Sequence, residues 1–199
     1  MKKALILAAG RGVRLDRKSK PKPLVEVCNQ PILMHLIEGL AGAGIEDFTI
    51  VVGYQKERII QEITARTAGR MRVSFVENPH YDGGLARSIL CARENMTEPF
   101  VLSMGDHVFD AEHFRRIVSL PDPHENVAVL VDPRTGNAAA DDVKVRFGTA
   151  PGRVEAIGPE LSRFDAVDMG LFAIDPLFFQ AVATAVHQNP DASLSDALQ

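Results

Sequence analysis

The chain has 199 residues, of which 46% are hydrophobic and 24% are charged, and its formal net charge is −4. This composition is typical of a soluble globular protein with one large domain or two very small ones, and it argues against a non-specific nucleic-acid partner. Cys28 and Cys91 stand apart without metal-ligand spacing, so they predict no disulfide framework and fit a reducing cytoplasm. No stretch approaches the roughly 18 apolar residues of a membrane span, so we expect no membrane insertion.

The first predicted element is a buried strand at residues 4–7, which leads directly into a glycine loop. Gly10 and Gly12 allow a sharp backbone turn and the close approach of a bound group. The loop and the segment after it are strongly cationic, with the side chains of Arg11, Arg14, Arg17, Lys18, Lys20 and Lys22. A strand that feeds a cationic glycine turn predicts a polyphosphate-binding site.

Two common phosphate-binding loops are excluded. The dinucleotide fingerprint requires a third glycine where Leu15 stands, and an acidic residue after the second strand, where this sequence has Gly53 and Tyr54. The P-loop requires four residues between its glycines and a Lys-Ser/Thr pair after the second, and this sequence has neither.

The glycine loop continues as Gly-x-Gly-x-Arg-Leu and is followed by Pro-Lys-Pro-Leu at residues 21–24. This combination resembles the sugar-phosphate nucleotidyltransferase-like superfamily, whose glycine loop wraps a nucleoside triphosphate. The resemblance implies that Arg14 and Lys22 are the catalytic cations that hold the phosphates, although Val13 replaces a small hydroxyl residue common in the family. It also implies a nucleotide-binding segment composed of Leu7, Ala8, Ala9, Gly10, Arg11 and Gly12.

The next elements alternate between helix and strand. Apolar residues recur at helical spacing after Pro31 and again over residues 56–66, and strands are predicted at residues 48–52 and 72–76. This β-α-β-α-β order predicts an α/β, Rossmann-like, mostly parallel sheet flanked by helices on both faces. No linker or internal repeat divides the sequence, so we expect a single domain over residues 1–199, with nucleotide binding up to about residue 110 and acceptor binding after it.

A loop at residues 77–84 follows the third strand, and a helix opens near Leu85. In an open α/β sheet the ligand lies at the carboxyl ends of the strands, so this loop is expected beside the glycine loop. The resemblance implies that the loop reads the nucleobase, although Leu85 stands where a polar residue is common. The residues implied in nucleotide binding here are Asn78, Gly83, Gly84 and Ser88.

Another buried strand, residues 100–104, ends in Gly105, Asp106 and His107. A carboxylate at the end of a central strand, opposite a polyphosphate loop, suits Mg²⁺, which takes one or two carboxylates together with phosphate oxygens and waters. A lone Asp after a strand is more often a turn or cap residue, and the resemblance is what implies that Asp106 binds the metal. His107 is interpreted as structural, with a contact to the substrate or to the metal ligand as the alternative.

The pattern changes in the second half of the chain. Residues 127–131 predict another central strand, and residues 143–147 and 153–157 flank a Pro-Gly turn, which predicts a small inserted β-hairpin. The resemblance implies that this hairpin and the next strand close over the acceptor. Lys144 would then face the acceptor phosphate, with a solvated lysine as the alternative. The resemblance also implies that Asp168 faces an acceptor hydroxyl, an amine or the metal. Asp168 lies in an otherwise apolar strand, where burial without a partner would be costly.

Within the superfamily, the segments around Asn78, Asp106 and Asp168 look most like the cytidylyltransferases that act on inositol-1-phosphate or on phosphonates. The resemblance therefore implies a Mg²⁺-dependent transfer of a nucleotidyl group, with CTP favoured, to a small phosphate or phosphonate acceptor, with release of pyrophosphate. The alternatives are a sugar-1-phosphate nucleotidyltransferase that uses another nucleotide, and a non-catalytic nucleotide-binding subunit. The sequence leaves open whether the protein forms a homo-oligomer.

The last segment carries a helix start signal, because Ser193 is followed three residues later by Asp196. A helix that begins this close to residue 199 is expected not to complete its packing. The resemblance also implies that relatives continue for a few tens of residues and supply a second metal-binding Asp from that segment. We therefore expect the 199 residues to lack part of the natural chain, or the final metal ligand, unless Asp168 takes that place.

Overall fold

The computed structural model describes residues 1–12, 20–120, 127–136 and 138–198. Within them the strands are β1 (Lys3–Ala8), β2 (Glu26–Val27), β3 (Gln30–Pro31), β4 (Asp47–Val52), β5 (Arg72–Glu77), β6 (Phe100–Met104), β7 (Val127–Asp132), β8 (Lys144–Phe147), β9 (Val154–Gly158) and β10 (Ala166–Ile174). The α-helices are α1 (Ile32–Gly42), α2 (Lys56–Thr67), α3 (Leu85–Cys91), α4 (Ala111–Val118), α5 (Phe178–Gln188) and α6 (Leu194–Ala197), and a short 3₁₀ helix spans Lys22–Leu24.

A mixed sheet of eight strands organises the described part of the chain, and β2 and β3 form a separate two-stranded ribbon. Strands β5, β4, β1 and β6 lie side by side in that order and are all parallel. Strand β10 pairs antiparallel with β6, and its first residues pair with β8, which continues into β9. The carboxyl ends of the four parallel strands therefore meet at one edge of the sheet, beside the first half of β10.

Helices cover both faces of this sheet, as the predicted fold class requires. Helices α1, α2 and α4 pack against one face, and α3, α5 and α6 pack against the other. Strand β1 lies between the two layers and is buried apart from Lys3. The predicted α/β, Rossmann-like class with an added hairpin is confirmed. The longest of these helices, α2, has 12 residues, and none in the described ranges has the length and apolar character needed to cross a membrane.

The prediction of a central strand at residues 127–131 is wrong about its position. Strand β7 pairs with β10 and with no other strand of the described ranges, so it lies at an edge of the sheet. Its sequence is apolar because both faces of the strand contact the core, although one edge is unpaired among the described residues. Ala128 and Leu130 pack into the core on one face of the sheet, and Val127 and Val129 pack into the core on the other.

The predicted helix start near the end of the sequence is confirmed. The side chain of Ser193 accepts a hydrogen bond from the backbone N–H of Asp196, and the Asp196 carboxylate accepts one from the backbone N–H of Ser193 at 2.7 Å. The expectation that this helix packs incompletely is wrong, because Leu194 and Ala197 are buried against the α3 and α5 layer.

Candidate active site

The floor of the candidate site is formed where three parallel strands end. The backbone N–H of Gly105 donates to the carbonyl of Leu7 at 2.9 Å, and that of Tyr54 donates to the carbonyl of Ala9 at 2.9 Å. A Cβ atom at Gly105 would lie 3.0 Å from the Leu7 carbonyl oxygen, so this approach depends on glycine. The side chains of Leu7, Ala8 and Ala9 are buried. The contacts predicted between these residues and a nucleotide would therefore be made by their backbone groups.

The glycine loop stands above this floor and receives the side chain of Lys22. Gly10 is exposed and has open space where a Cβ would project. Gly12 adopts a φ of +62°, and a Cβ there would lie 3.0 Å from the Cβ of Lys22. The stem of Lys22 therefore lies directly against the loop. Arg14, the other predicted catalytic cation, falls in residues 13–19, which lie outside the described residues.

Lys22 and Asp106, predicted from segments 84 residues apart, form an ion pair. Asp106 Oδ2 faces the ammonium of Lys22, and Asp106 Oδ1 lies 2.9 Å from Nδ1 of His107. Burial by itself raises the pKa of Asp106, but the hydrogen bonds from His107 and Lys22 outweigh burial and hold that pKa well below its usual value. Asp106 is therefore ionised at neutral pH and is held by two donors.

Asp168 lies near His107, on a part of strand β10 that bulges. The register of β10 against β7 shifts between Asp168 and Phe172, and Gly170 adopts a φ of +75°. The backbone N–H of Gly170 donates to Asp168 Oδ1 at 2.7 Å. Burial raises the pKa of Asp168 to about 6, against the lowering effects of this hydrogen bond and of the charge on His107.

The donor set at this edge suits Mg²⁺. Asp106 offers an ionised carboxylate, and a hard cation such as Mg²⁺ takes one or two carboxylates together with phosphate oxygens and waters. Among the described residues, no group of three or more His, Cys, Asp or Glu side chains is placed to form a cage for a metal. Asp106 therefore fits a magnesium ion whose other ligands are phosphate oxygens and waters.

In the predicted nucleobase loop, two of the four residues bind each other. Asn78 and Ser88 are buried, and the amide of Asn78 donates to the Ser88 hydroxyl at 2.9 Å. The side-chain oxygen of Asn78 accepts from the backbone N–H of His80 at 2.9 Å. The side chains of Asn78 and Ser88 therefore stabilise the loop internally. Contacts between the loop and a nucleobase would be made by backbone groups of the loop.

The two glycines of this loop differ in their surroundings. A Cβ at Gly84 would overlap the backbone of Asp191 and Ala192, so packing against the C-terminal segment accounts for that glycine. A Cβ at Gly83 would meet Arg87 at 3.3 Å and the Asp191 carboxylate at 3.4 Å, which is tight but not prohibitive. The structure places both glycines beside the site, and their predicted contact with a base stays a prediction.

Arg11 joins the glycine loop to the loop after β5. Its Nε lies 2.8 Å from Asp82 Oδ1, and its guanidinium lies 5.8 Å from the ring centre of Tyr54 and 5.6 Å from that of Tyr81. Sequence reasoning missed these three partners. The available signal was that Tyr54 and Tyr81 follow the neighbouring parallel strands β4 and β5, which end at the same edge of the sheet.

Lys144 is held by its own hairpin region. Its ammonium donates to the carbonyl of Pro159 at 2.7 Å and lies 5.7 Å from the ring centre of Phe164. Phe164 also lines a surface cleft of about 510 Å³ with Arg146 and Arg163. The structure therefore brings Lys22, Asp106 and Asp168 to one edge, whereas the ammonium of Lys144 is held by Pro159 and Phe164, and its contact with an acceptor stays a prediction.

A sequence comparison agrees with three features of this site: a strand that ends in a glycine loop, a lysine paired with a strand-end aspartate, and a bulge in β10. A family model described as the MobA-like NTP transferase domain matches residues 4–191. The chain belongs to this family. The resemblance on which the sequence interpretation rests is thereby confirmed.

Two relatives illustrate the range of similar proteins. The bifunctional IPC transferase and DIPP synthase of Rubrobacter xylanophilus is 34% identical over 170 residues, which cover 85% of this chain and 37% of that protein. This chain thus spans well under half the length of that relative. The UTP–glucose-1-phosphate uridylyltransferase AglF of Haloferax volcanii is 30% identical over 187 residues, which cover 89% of this chain and 74% of that protein.

A solved structure shares the fold over the whole chain. The inositol-1-phosphate CTP transferase from T. maritima superposes with a TM-score of 0.86 and covers 100% of this chain and 80% of its own. The sequence identity is 23%, so this likeness establishes the architecture, and the chemistry has to be argued from the residues of the site.

Proposed function

We propose that this protein transfers a cytidylyl group from CTP to a small phosphate or phosphonate acceptor, such as inositol-1-phosphate, and releases pyrophosphate. The ion pair between Lys22 and Asp106 is the observation that carries the proposal. It places a cation and an ionised carboxylate together at the carboxyl edge of a parallel sheet, directly beside the glycine loop. Binding a magnesium nucleoside triphosphate requires both charges at that position.

In the proposed reaction an oxygen of the acceptor phosphate attacks the α-phosphorus of the nucleotide in line with the leaving pyrophosphate. The bond from the α-phosphorus to the bridging oxygen breaks, and pyrophosphate departs with that electron pair. The second ionisation of a phosphate monoester has a pKa of about 6, so the attacking oxygen is ionised at neutral pH and needs no general base. The task of the protein is therefore to position the reactants and stabilise charge.

Each residue has a defined part in this scheme. Lys22 moves its ammonium from Asp106 to the phosphates, where it offsets the charge that develops on the leaving group. Gly10 and Gly12 bring backbone N–H groups to the triphosphate, and Asp168 faces the acceptor from β10. Asp106 would hold Mg²⁺, which, when bound, neutralises phosphate charge and orients the reacting groups.

The preference for CTP and for an inositol or phosphonate acceptor rests on the loop over residues 78–84 and on likeness to named relatives. The loop offers backbone groups that suit the edge of a pyrimidine, and one relative is named as an IPC transferase. The second candidate is a sugar-1-phosphate nucleotidyltransferase that uses another nucleotide, because the Haloferax relative, 74% of whose length is matched, is named as a uridylyltransferase. We further propose a cytoplasmic location, because Cys28 and Cys91 are free thiols and a reducing compartment keeps thiols in that state.

Pyrophosphate release tests the proposal. The purified chain is incubated with Mg²⁺, each of CTP, UTP, GTP and ATP, and each of inositol-1-phosphate, 2-aminoethylphosphonate and glucose-1-phosphate. We expect the highest rate with CTP and one of the first two acceptors, loss of activity with EDTA, and loss in Asp106→Asn. A higher rate with UTP or GTP and glucose-1-phosphate would establish the second candidate. Nucleotide binding without turnover in any combination would indicate a non-catalytic subunit.

A further inference from the structure

His107 lies between the strand-end carboxylate and the acceptor strand. Its Nδ1 is 2.9 Å from Asp106 Oδ1, and its ring stacks on Phe109 with 6.0 Å between ring centres and 15° between planes. On another side, its Nε2 and Cε1 lie 3.4 and 3.5 Å from the point where a Cβ on Gly170 would stand. The imidazole is thus held by a hydrogen bond, by an aromatic ring and by the bulge of β10.

The two oxygens of Asp106 have unequal partners. Oδ2 faces the ammonium of Lys22, which sits at the end of a flexible four-carbon chain. Oδ1 faces a ring that neighbouring groups hold in place. When Lys22 moves to the phosphates, as the proposed function requires, its hold on Oδ2 is lost. The hydrogen bond from His107 would then be the contact that keeps the carboxylate oriented.

We propose that His107 is a positioning residue for Asp106. It fixes Oδ1 and so presents Oδ2 to the cation that accompanies the nucleotide. A partner that orients a ligating carboxylate typically changes metal affinity 10–100-fold when it is removed. This inference rests on the proposed function for its purpose, but the orienting effect itself is measurable without turnover.

The same contacts explain a glycine in the acceptor strand. Gly170 has a φ of +75°, and a Cβ there would press against both His107 and Met104, which lies at 3.3 Å. The glycine allows the bulge that brings Asp168 into the site and leaves room for the imidazole.

Two substitutions distinguish the effect of the hydrogen bond of His107 from the effect of its ring. His107→Asn keeps an N–H donor attached at Cγ and removes most of the ring, whereas His107→Phe keeps a ring and removes the donor. His187→Asn, on the exposed end of α5, is the matched control. Mn²⁺ is titrated into each protein in the presence of a non-hydrolysable CTP analogue, and binding is followed by electron paramagnetic resonance. Thermal unfolding verifies that each variant is folded.

We expect His107→Phe to weaken Mn²⁺ binding by about 10–100-fold, His107→Asn to bind within a few-fold of the parent, and the control to be unchanged. The concentration of Mg²⁺ that gives half-maximal turnover should follow the same order. If His107→Phe does not fold, His107→Leu takes its place as the variant without a donor. Unchanged Mn²⁺ affinity in the folded variant without a donor would overturn the proposal.

The outcome is distinguishable from failure of the proposed function. If the parent binds Mn²⁺ and the analogue but releases no pyrophosphate, the proposed function fails, and a weakened Mn²⁺ affinity in His107→Phe still supports the positioning role. If the parent is active while both His107 variants lose Mn²⁺ binding equally, the ring rather than the hydrogen bond is responsible, and the positioning role as stated is refuted.

Discussion

Lys22 has to exchange partners for the proposed reaction to proceed. In the structure its ammonium pairs with Asp106, and its stem lies against Gly12, 3.0 Å from where a Cβ on that glycine would be. Because Gly12 has no side chain, the stem is not obstructed on the side of the loop that receives the phosphates. In the proposed reaction the charge of Lys22 therefore stabilises the carboxylate before the nucleotide binds and the phosphates afterwards.

Replacing Lys22 by alanine is expected to lower kcat by about 10²–10³-fold, since one charged donor to the transition state is lost. The fold should persist, because Asp106 retains the hydrogen bond from His107. Lys20→Ala is the matched control: Lys20 is close in sequence and pairs with Glu26 at 2.7 Å, away from the carboxylate. Steady-state pyrophosphate release measures the effect, and near-normal turnover of Lys22→Ala would remove Lys22 from the phosphate site. Arg14→Ala is expected to show a loss of similar size.

Asp168 should make stability depend on pH. Burial raises its pKa to about 6 in the folded protein, while in the unfolded chain it ionises near the usual value of 3.8. Well below pH 3.8 it is protonated in both states. As the pH rises from about 3.8 to about 6, the unfolded chain ionises before the folded protein does, so the stability that the protonated form contributes is lost, and above pH 6 the loss is complete.

Asp168→Asn should therefore gain stability relative to the parent as the pH increases from 4.5 to 7.5, by about 2 kcal/mol. The asparagine retains an oxygen for the backbone N–H of Gly170. Urea unfolding of both proteins at the two pH values gives the difference, and the other titrating groups cancel because they are common to both. A difference in stability that is the same at both pH values would contradict the raised pKa.

At the scale of secondary-structure elements, close packing overrides local propensity. Helix α1 contains Gly39, where alanine would favour the helix, but a Cβ there would overlap the ring of Phe114 on α4. Gly42, at the end of the same helix, has open space around its missing side chain. The glycine at position 39 therefore sets how closely α1 approaches α4.

The two glycines of α1 provide a matched pair of substitutions. Gly39→Ala is expected to destabilise the protein by about 1–3 kcal/mol, because Phe114 and α4 have to shift. Gly42→Ala should be neutral or stabilising by up to about 1 kcal/mol. Denaturant unfolding of both variants measures the two effects. Equal stability of the two variants would show that α4 moves away at no cost.

At the scale of the whole molecule, the site lies where two halves of the sheet meet. The first half is parallel and buried around β1, and the second half joins it through the antiparallel strand β10. The hairpin β8–β9 is supported by a small cluster of Val145, Ile157 and Ala166, separate from the two main core layers. The half built around β1 thus carries Lys22 and Asp106, and the half with the smaller core cluster carries the residues proposed to face the acceptor.

Hydrogen exchange should reveal this difference. Amides of β1 are expected to exchange at least about 100-fold more slowly than those of β8 and β9, because opening β1 requires disruption of both core layers. Addition of CTP, Mg²⁺ and a productive acceptor should slow exchange in the hairpin if it closes over the acceptor. Mass spectrometry of peptides from both regions provides the measurement. Hairpin amides as slow as those of β1 without ligands would contradict the proposed division.

The parts of the site that could be predicted from sequence are those set by local pattern. An apolar run before Gly10 indicates a central strand, and alternation with helices indicates a parallel sheet. Parallel strands end at one edge, so the glycine loop and Asp106 were expected to meet there. Lys22 was identified by the family resemblance, and the structure pairs it with Asp106.

Tertiary structure decided which residues far apart in the sequence come into contact. The spacing of two such residues along the chain does not indicate whether they touch. The ring of His107 against Gly170, the backbone of Asp191 and Ala192 beneath Gly84, and the edge position of β7 all depend on how distant segments pack. Local pattern determines which residues form a strand or a turn, because period and glycine content act within a few residues. Which side chains then touch depends on close packing among segments, and in this protein that packing placed an imidazole between the Asp106 carboxylate and Gly170 of β10.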